Sequence, residues 1–194
     1  MTAEWSLDVD SITAASKAEA NGLNTDYTDG NLGTHSTADR NGVSAQYAKE
    51  WRYFNSVEDG ARVSRGWFKV VSAEWLNYDK YNDDEDAWYY ADGSGNLYAG
   101  EFKTIKGKKY AFRNDGRMVN GLKFIKGEGT GSLTVVADDD DDHPFDDEDR
   151  FDENALWFEA NNYRCYYFGD GDDGAMRTNK TSVSIDSDSY NFYF

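Results

Sequence analysis

A chain of 194 residues with a formal net charge of −17 and a single cysteine excludes several classes before any motif is read. So acidic a surface cannot seat a nucleic-acid backbone, which needs a basic face, and it disfavours an anionic membrane surface. No run of about 18 apolar residues is present to span a bilayer, and Cys165 alone allows no internal disulfide. Hydrophobic residues make up 39% and aromatic ones 16%. Burial therefore has to come from Tyr, Phe and Trp, which suits small aromatic cores repeated along an axis better than one aliphatic core.

Residues 1–47 carry the least information. Ile12 to Ala20 suits a short helix with Ser11 as N-cap, and the stretch from Asn21 to Asn41, rich in Gly, Asn, Asp, Thr and Ser, reads as loop. The start, Met1 to Trp5, lacks the basic and apolar regions of a signal peptide. An exported protein would therefore be represented here by a processed piece.

From Ala48 onward an aromatic block followed by a Gly-centred turn recurs. The blocks are Trp51-Arg-Tyr-Phe54, Trp88-Tyr-Tyr-Ala91, Lys109-Tyr-Ala-Phe112 and Cys165-Tyr-Tyr-Phe168. The turns that follow contain Gly60, Gly95, Gly116 and Gly174. Repetition at a fixed spacing is the signature of an array. The expected units run 51–71, 88–105, 107–125 and 163–181, with a partial one at 182–194. Acidic insertions at 72–87 and 126–160 separate them. Within the second insertion, Leu133 to Ala137 reads as a buried strand and residues 138–153 as a long acidic loop.

A lone two-stranded hairpin is marginal in water, but stacking turns its aromatic face into a continuous core. The four turn glycines supply positive φ, and Leu97, Met118 and Met176 are placed to fill the gap under the next hairpin. Cys165, first in an aromatic block, reads as a packed thiol. The fold expected is all-β, a solenoid-like array of β-hairpin repeats with acidic loop insertions, preceded by an irregular or partly helical N-terminal segment.

Two stretches, Lys109 to Gly121 and Tyr166 to Thr178, resemble the Gram-positive cell-wall-binding repeat of the choline-binding and glucan-binding type, in degenerate form. The resemblance covers most of 51–125 and 163–194. It implies a secreted or cell-surface, non-catalytic module that binds wall polymer or glucan through aromatic clefts and attaches a larger protein to the bacterial surface. The rings it assigns to those clefts are Trp67, Trp88, Tyr90, Tyr98, Phe102, Tyr110 and Tyr166. Gly66-Trp67 keeps the Trp that follows the second Gly of the pattern. Gly100 is instead followed by Glu101, Gly121 by Leu122 and Asn179 by Lys180. At most one cation–π cage for a quaternary ammonium remains, from Trp67 with Trp88 or Tyr90; stacking on sugar faces is more permissive. The alternative is a structural spacer or adhesin stalk whose rings are all consumed in packing, with other surface proteins as its partners.

Asp138, Asp140, Asp142 and Asp146 could hold calcium, which takes oxygen ligands in flexible geometry; the other reading is a solvated acidic loop. Asp92 to Asn96 begins like a calcium loop, but Lys103 stands where such a loop needs Glu, so it reads as a plain turn. His35 and His143 have no Cys or second His at ligand spacing, which argues against zinc or a catalytic triad. With 37 acidic residues, a glycosidase pair can be drawn anywhere and discriminates nothing. No enzyme, no nucleic-acid partner and no membrane insertion are expected.

Overall fold

Antiparallel pairing between neighbouring strands organises the chain. The computed structural model describes residues 4–7, 43–55, 61–74, 76–127, 131–136, 148–185 and 187–194. Strand β1 (Glu4–Leu7) pairs with β2 (Trp51–Phe54), and β3 (Gly66–Val71) with β4 (Asp86–Ala91). Next, β5 (Glu101–Ile105) pairs with β6 (Lys108–Phe112). Strand β7 (Leu122–Lys126) lies between β8 (Thr134–Val135) and β9 (Arg164–Tyr167). A last hairpin joins β10 (Lys180–Ile185) to β11 (Asp188–Tyr193). The architecture is the all-β hairpin array that the repeats imply.

The ladders fall in a different phase from the expected units. The aromatic block is the second strand of each hairpin: β4 closes on β3, β6 on β5 and β9 on β7. The Gly turns after the blocks are connections to the next hairpin, held by the single bridges Ala91↔Leu97 and Phe112↔Met118. The acidic insertions are therefore hairpin loops. β5–β6 closes tightly, through Lys106 and Gly107 at φ 49 and 80, the doubly positive turn whose twist matches a hairpin, and β10–β11 closes as tightly, Ile185 pairing with Asp188. Gly95 and Gly116 do take positive φ, 79 and 93. Gly174 does not, which corrects the expectation for it: a Cβ there would run into Met118, so the position needs a small residue rather than a left-handed one. Gly60 lies outside the described residues.

Side-chain alternation explains the layering. On β3–β4, Trp67 faces Tyr90 and Lys69 faces Trp88 across the ladder, all on one side, while Phe68 and Tyr89 point to the other. That second side is the first core, with Trp51, Leu76, Leu97 and Tyr89 at 0–5% exposure. Trp5 plugs it from β1, its ring 4.9 Å from Tyr89 and 5.2 Å from Tyr53, and its indole N–H donates to the Val71 carbonyl at 2.8 Å. This ties residues 4–7 to the array, a role not legible in the N-terminal sequence. The helix expected over Ile12 to Ala20 lies outside the described residues. A one-turn helix, α1 (Ala45–Ala48), is capped by Ser44, whose side chain accepts from Tyr47 N–H.

Both insertions contain helix. The first holds α2 (Tyr78–Asn82), capped by Asn77. The second ends in α3 (Glu148–Ala160), where a loop was expected up to Glu153. Phe151, Ala155 and Phe158 recur at helical spacing and seal Phe124 of β7, with Phe158 stacked 4.8 Å from it. Leu97, Met118 and Met176 do pack between units, but against the hairpin before them rather than under the next: Leu97 joins Tyr89 and Ala91, Met118 joins Trp67 and Trp88, and Met176 packs against Ala111 and Val119.

Gly100 shows how closely the units approach. At φ 61, a Cβ there would stand 2.5 Å from the Ala45 Cβ and 2.9 Å from Asn114 Oδ1. Gly100→Ala combines a strained backbone with overpacking against α1. We expect a loss of roughly 2–3 kcal/mol in urea unfolding, and an unchanged midpoint would contradict this packing.

Candidate aromatic clefts

The outward face of β3–β4 meets the face of β5–β6 that carries Tyr110 and Phe112. Trp67 sits at the junction. Its ring lies 4.8 Å from Tyr110 and 5.1 Å from Tyr90, both edge-on, and is stacked on Phe112 at 5.7 Å. Trp88 stands edge-on at 6.4 Å. Tyr98, just beyond the Gly95 turn, stacks nearly parallel on Tyr90 at 5.1 Å and meets Phe112 at 5.6 Å. Phe112, Met118 and Ile105 form a buried floor, while Trp67, Trp88, Tyr90, Tyr98 and Tyr110 remain half-buried above it.

Charges frame this cluster. Lys103 Nζ stands 4.9 Å over the Tyr98 ring. Lys69, on the same face as the two tryptophans, donates to Asp172 at 2.9 Å and so ties the first long hairpin to the turn of the fourth unit. That hydrogen bond comes first in holding the Asp172 carboxyl below the usual carboxylate range. The indole N–H of Trp88, directed at the same carboxyl, contributes next. Burial pushes the Tyr98 and Tyr110 phenols up, so both present neutral hydroxyls at physiological pH.

The two remaining rings lie elsewhere. Phe102 and Tyr166 meet each other at 5.3 Å, on the opposite side of β5–β6 from Tyr110. They line an open groove of about 1120 Å³, walled by α3, β9 and the last strand β11. A second cleft, about 680 Å³, is lined by charged groups including Lys49, Arg52 and Asp92, and Tyr98 forms part of its wall. The structure thus divides the seven expected rings into a cluster of five and a pair. The groove also takes Phe151, Phe192 and Tyr163, which sequence reasoning did not single out. Their signals were present: helical spacing for Phe151, and strand alternation through Tyr190, Phe192 and Phe194.

Cys165 packs beside Phe124 and Phe158, and its thiol is pushed up to about 12 by burial and then by Glu159. It is an inert, protonated packing residue. Asp92 Oδ1 accepts from Ser94 N–H at 2.7 Å and Asn96 N–H at 2.9 Å. Its carboxylate is therefore spent on the turn, as expected for that segment. The calcium candidates Asp138, Asp140, Asp142 and Asp146 lie outside the described residues, as do His35 and His143. Among the described residues, no group of three or more His, Cys, Asp or Glu is placed to hold a metal, and no helix is long and apolar enough to cross a membrane.

Stacked hairpins with half-buried aromatic rings between them define a β-hairpin repeat module. No family model matches the chain, and no curated protein does. Among solved structures it is similar to the modular Cpl-1 endolysin from phage Cp-1 complexed with choline, at 15% identity and a TM-score of 0.34, over 73% of this chain and 28% of that one. It is also similar to choline binding protein F from Streptococcus pneumoniae, at 18% identity and a TM-score of 0.26, over 72% and 37%. A third is alternansucrase in complex with isomaltononaose, at 13% identity and a TM-score of 0.25, over 74% and 10%. The chain spans well under half the length of each.

Proposed function

We propose that this chain is a non-catalytic, extracellular repeat module that binds a cell-wall polymer or glucan through its aromatic clefts and holds a larger protein at a bacterial surface. The five-ring cluster carries this reading. Tyr89 and Phe112 are packed to 0% exposure in the same hairpins, so the fold can bury an aromatic ring fully where burial is its only role. Trp67, Trp88, Tyr90, Tyr98 and Tyr110 instead keep part of each ring open, next to phenol hydroxyls and the Lys69–Asp172 pair. Flat apolar surface edged by neutral donors and a few charges is what a sugar ring requires. Trp67 itself occupies the space between Tyr90 and Tyr110, which favours stacking of a flat ligand on the open faces over enclosure of a compact cation.

One observation favours the spacer reading. Trp67 contacts four other rings, and much of its surface is spent in doing so. Sedimentation of the chain with purified bacterial walls and with insoluble glucan separates the two. We expect retention on at least one of them, weakened about tenfold or more by Trp67→Ala combined with Trp88→Ala. A chain that melts cooperatively yet sediments with neither is a spacer.

A further inference from the structure

The 1120 Å³ groove differs from the five-ring cluster in composition as well as position. Its walls include Phe102, Tyr163 and Tyr166, but its charges are mainly basic. Lys109 stands 5.0 Å over the Phe102 ring, and Lys126 stands 5.5 Å over Tyr163. Arg164 lines the groove from β9. Lys109, Lys126 and Arg164 are all exposed, and no ion-pair partner meets any of them among the described residues. One carboxylate, Glu159, lines the groove beside them. In a chain of net charge −17, three exposed cations beside one aromatic trough are a local reversal of sign. Self-repulsion does not require it, since a carboxylate beside each would lower the energy of the free protein.

We propose that this groove binds an anionic saccharide, its sugar faces stacked on Phe102 and Tyr166 and its carboxylate or phosphate held by Arg164 and Lys109. The charge complementarity decides the class. Guanidinium matches a planar or tetrahedral oxyanion in a forked geometry, and a lysine beside an aromatic ring follows it as a mobile point charge. A neutral glucan would leave these cations unused, and a quaternary ammonium would be repelled. The saccharide class rests on the proposed function; the sign of the charge and the place of binding do not.

Titration calorimetry of the intact chain with tetragalacturonate and with phosphorylated maltotetraose tests this, with neutral maltotetraose and hexaglutamate as controls. The first probe carries carboxylate and the second phosphate, so the pair also distinguishes the two anions. We expect at least one of them to bind about tenfold or more tightly than maltotetraose, more weakly as salt rises, and more tightly than hexaglutamate. Lys109→Gln with Arg164→Gln should reduce that binding about tenfold without moving the unfolding midpoint, since both side chains are exposed. Lys80→Gln, on α2 and in the lining of neither cleft, should leave that binding unchanged. Equal binding of maltotetraose, equal binding of hexaglutamate, or no binding of either anionic sugar overturns the inference. If walls are still retained through Trp67 in that case, the proposed function stands without it.

Discussion

Phe112→Ala is expected to destabilise the chain by about 4 kcal/mol, the largest single effect in the array. Phe112 is wholly buried. It sits at the end of β6, pairs across the ladder with Glu101, bridges to Met118 beyond the turn, and carries Trp67 and Tyr98 on its ring. Removing it leaves a cavity between two hairpins whose backbones are already fixed by their own ladders, so collapse cannot fill it. Urea unfolding measures the loss. A cost under about 1 kcal/mol would mean that the hairpins do not share this floor. The same substitution should also disturb the ring cluster, because Trp67 and Tyr98 lose the ring they rest on.

Asp115→Ala comes next, at about 3 kcal/mol. Asp115 is buried in the Gly116 turn, and its carboxylate accepts from Arg117 Nε at 2.7 Å, from Asn77 Nδ2 at 2.8 Å and from Arg117 N–H at 3.1 Å. Asn77 also caps α2, so this carboxylate fastens the first hairpin loop to the connection after β6. Alanine would remove the charge and leave the buried Arg117 and Asn77 without it. Burial on its own would raise the Asp115 carboxyl. The Arg117 charge, the Asn77 and backbone hydrogen bonds and the Arg113 charge outweigh it and hold the carboxyl below its ordinary value of 3.8. The folded value is the depressed one, so the contribution is fully present above the ordinary value and is lost as pH falls through the lower, folded one. Wild type should therefore lose more stability than Asp115→Asn as pH is lowered through that range. Parallel profiles would show that the carboxylate is not what holds the turn.

What the sequence made legible was local. Each aromatic block is a strand because its Trp, Tyr and Phe side chains favour extended backbone. The partner of each block was not legible. Trp88 to Ala91 could close on the strand before it or the strand after it, since both alternate. The structure chooses the one before, across a long acidic loop, because this puts Phe68 and Tyr89 together in one core. The α3 helix was obscured by its neighbourhood. Acidic residues before and within it gave the segment a loop-like composition, although Phe151, Ala155 and Phe158 already lay on one face. For the clefts, residue type identified the seven rings, but only the ladders show that Phe102 and Tyr110 leave β5–β6 on opposite sides. The expected rings therefore fall on two surfaces, of different charge.

In the proposed function, half-buried rings between stacked hairpins hold a saccharide. Tryptophan fluorescence of the intact chain, titrated with solubilised wall polymer and with soluble glucan, tests it most directly, because Trp67 and Trp88 both stand in the cluster. A saturable change with one of these polymers is expected, abolished in Trp67→Phe with Trp88→Phe while binding falls about tenfold. Retention of full affinity by that variant, or no binding of either polymer by a cooperatively folded wild type, would contradict it.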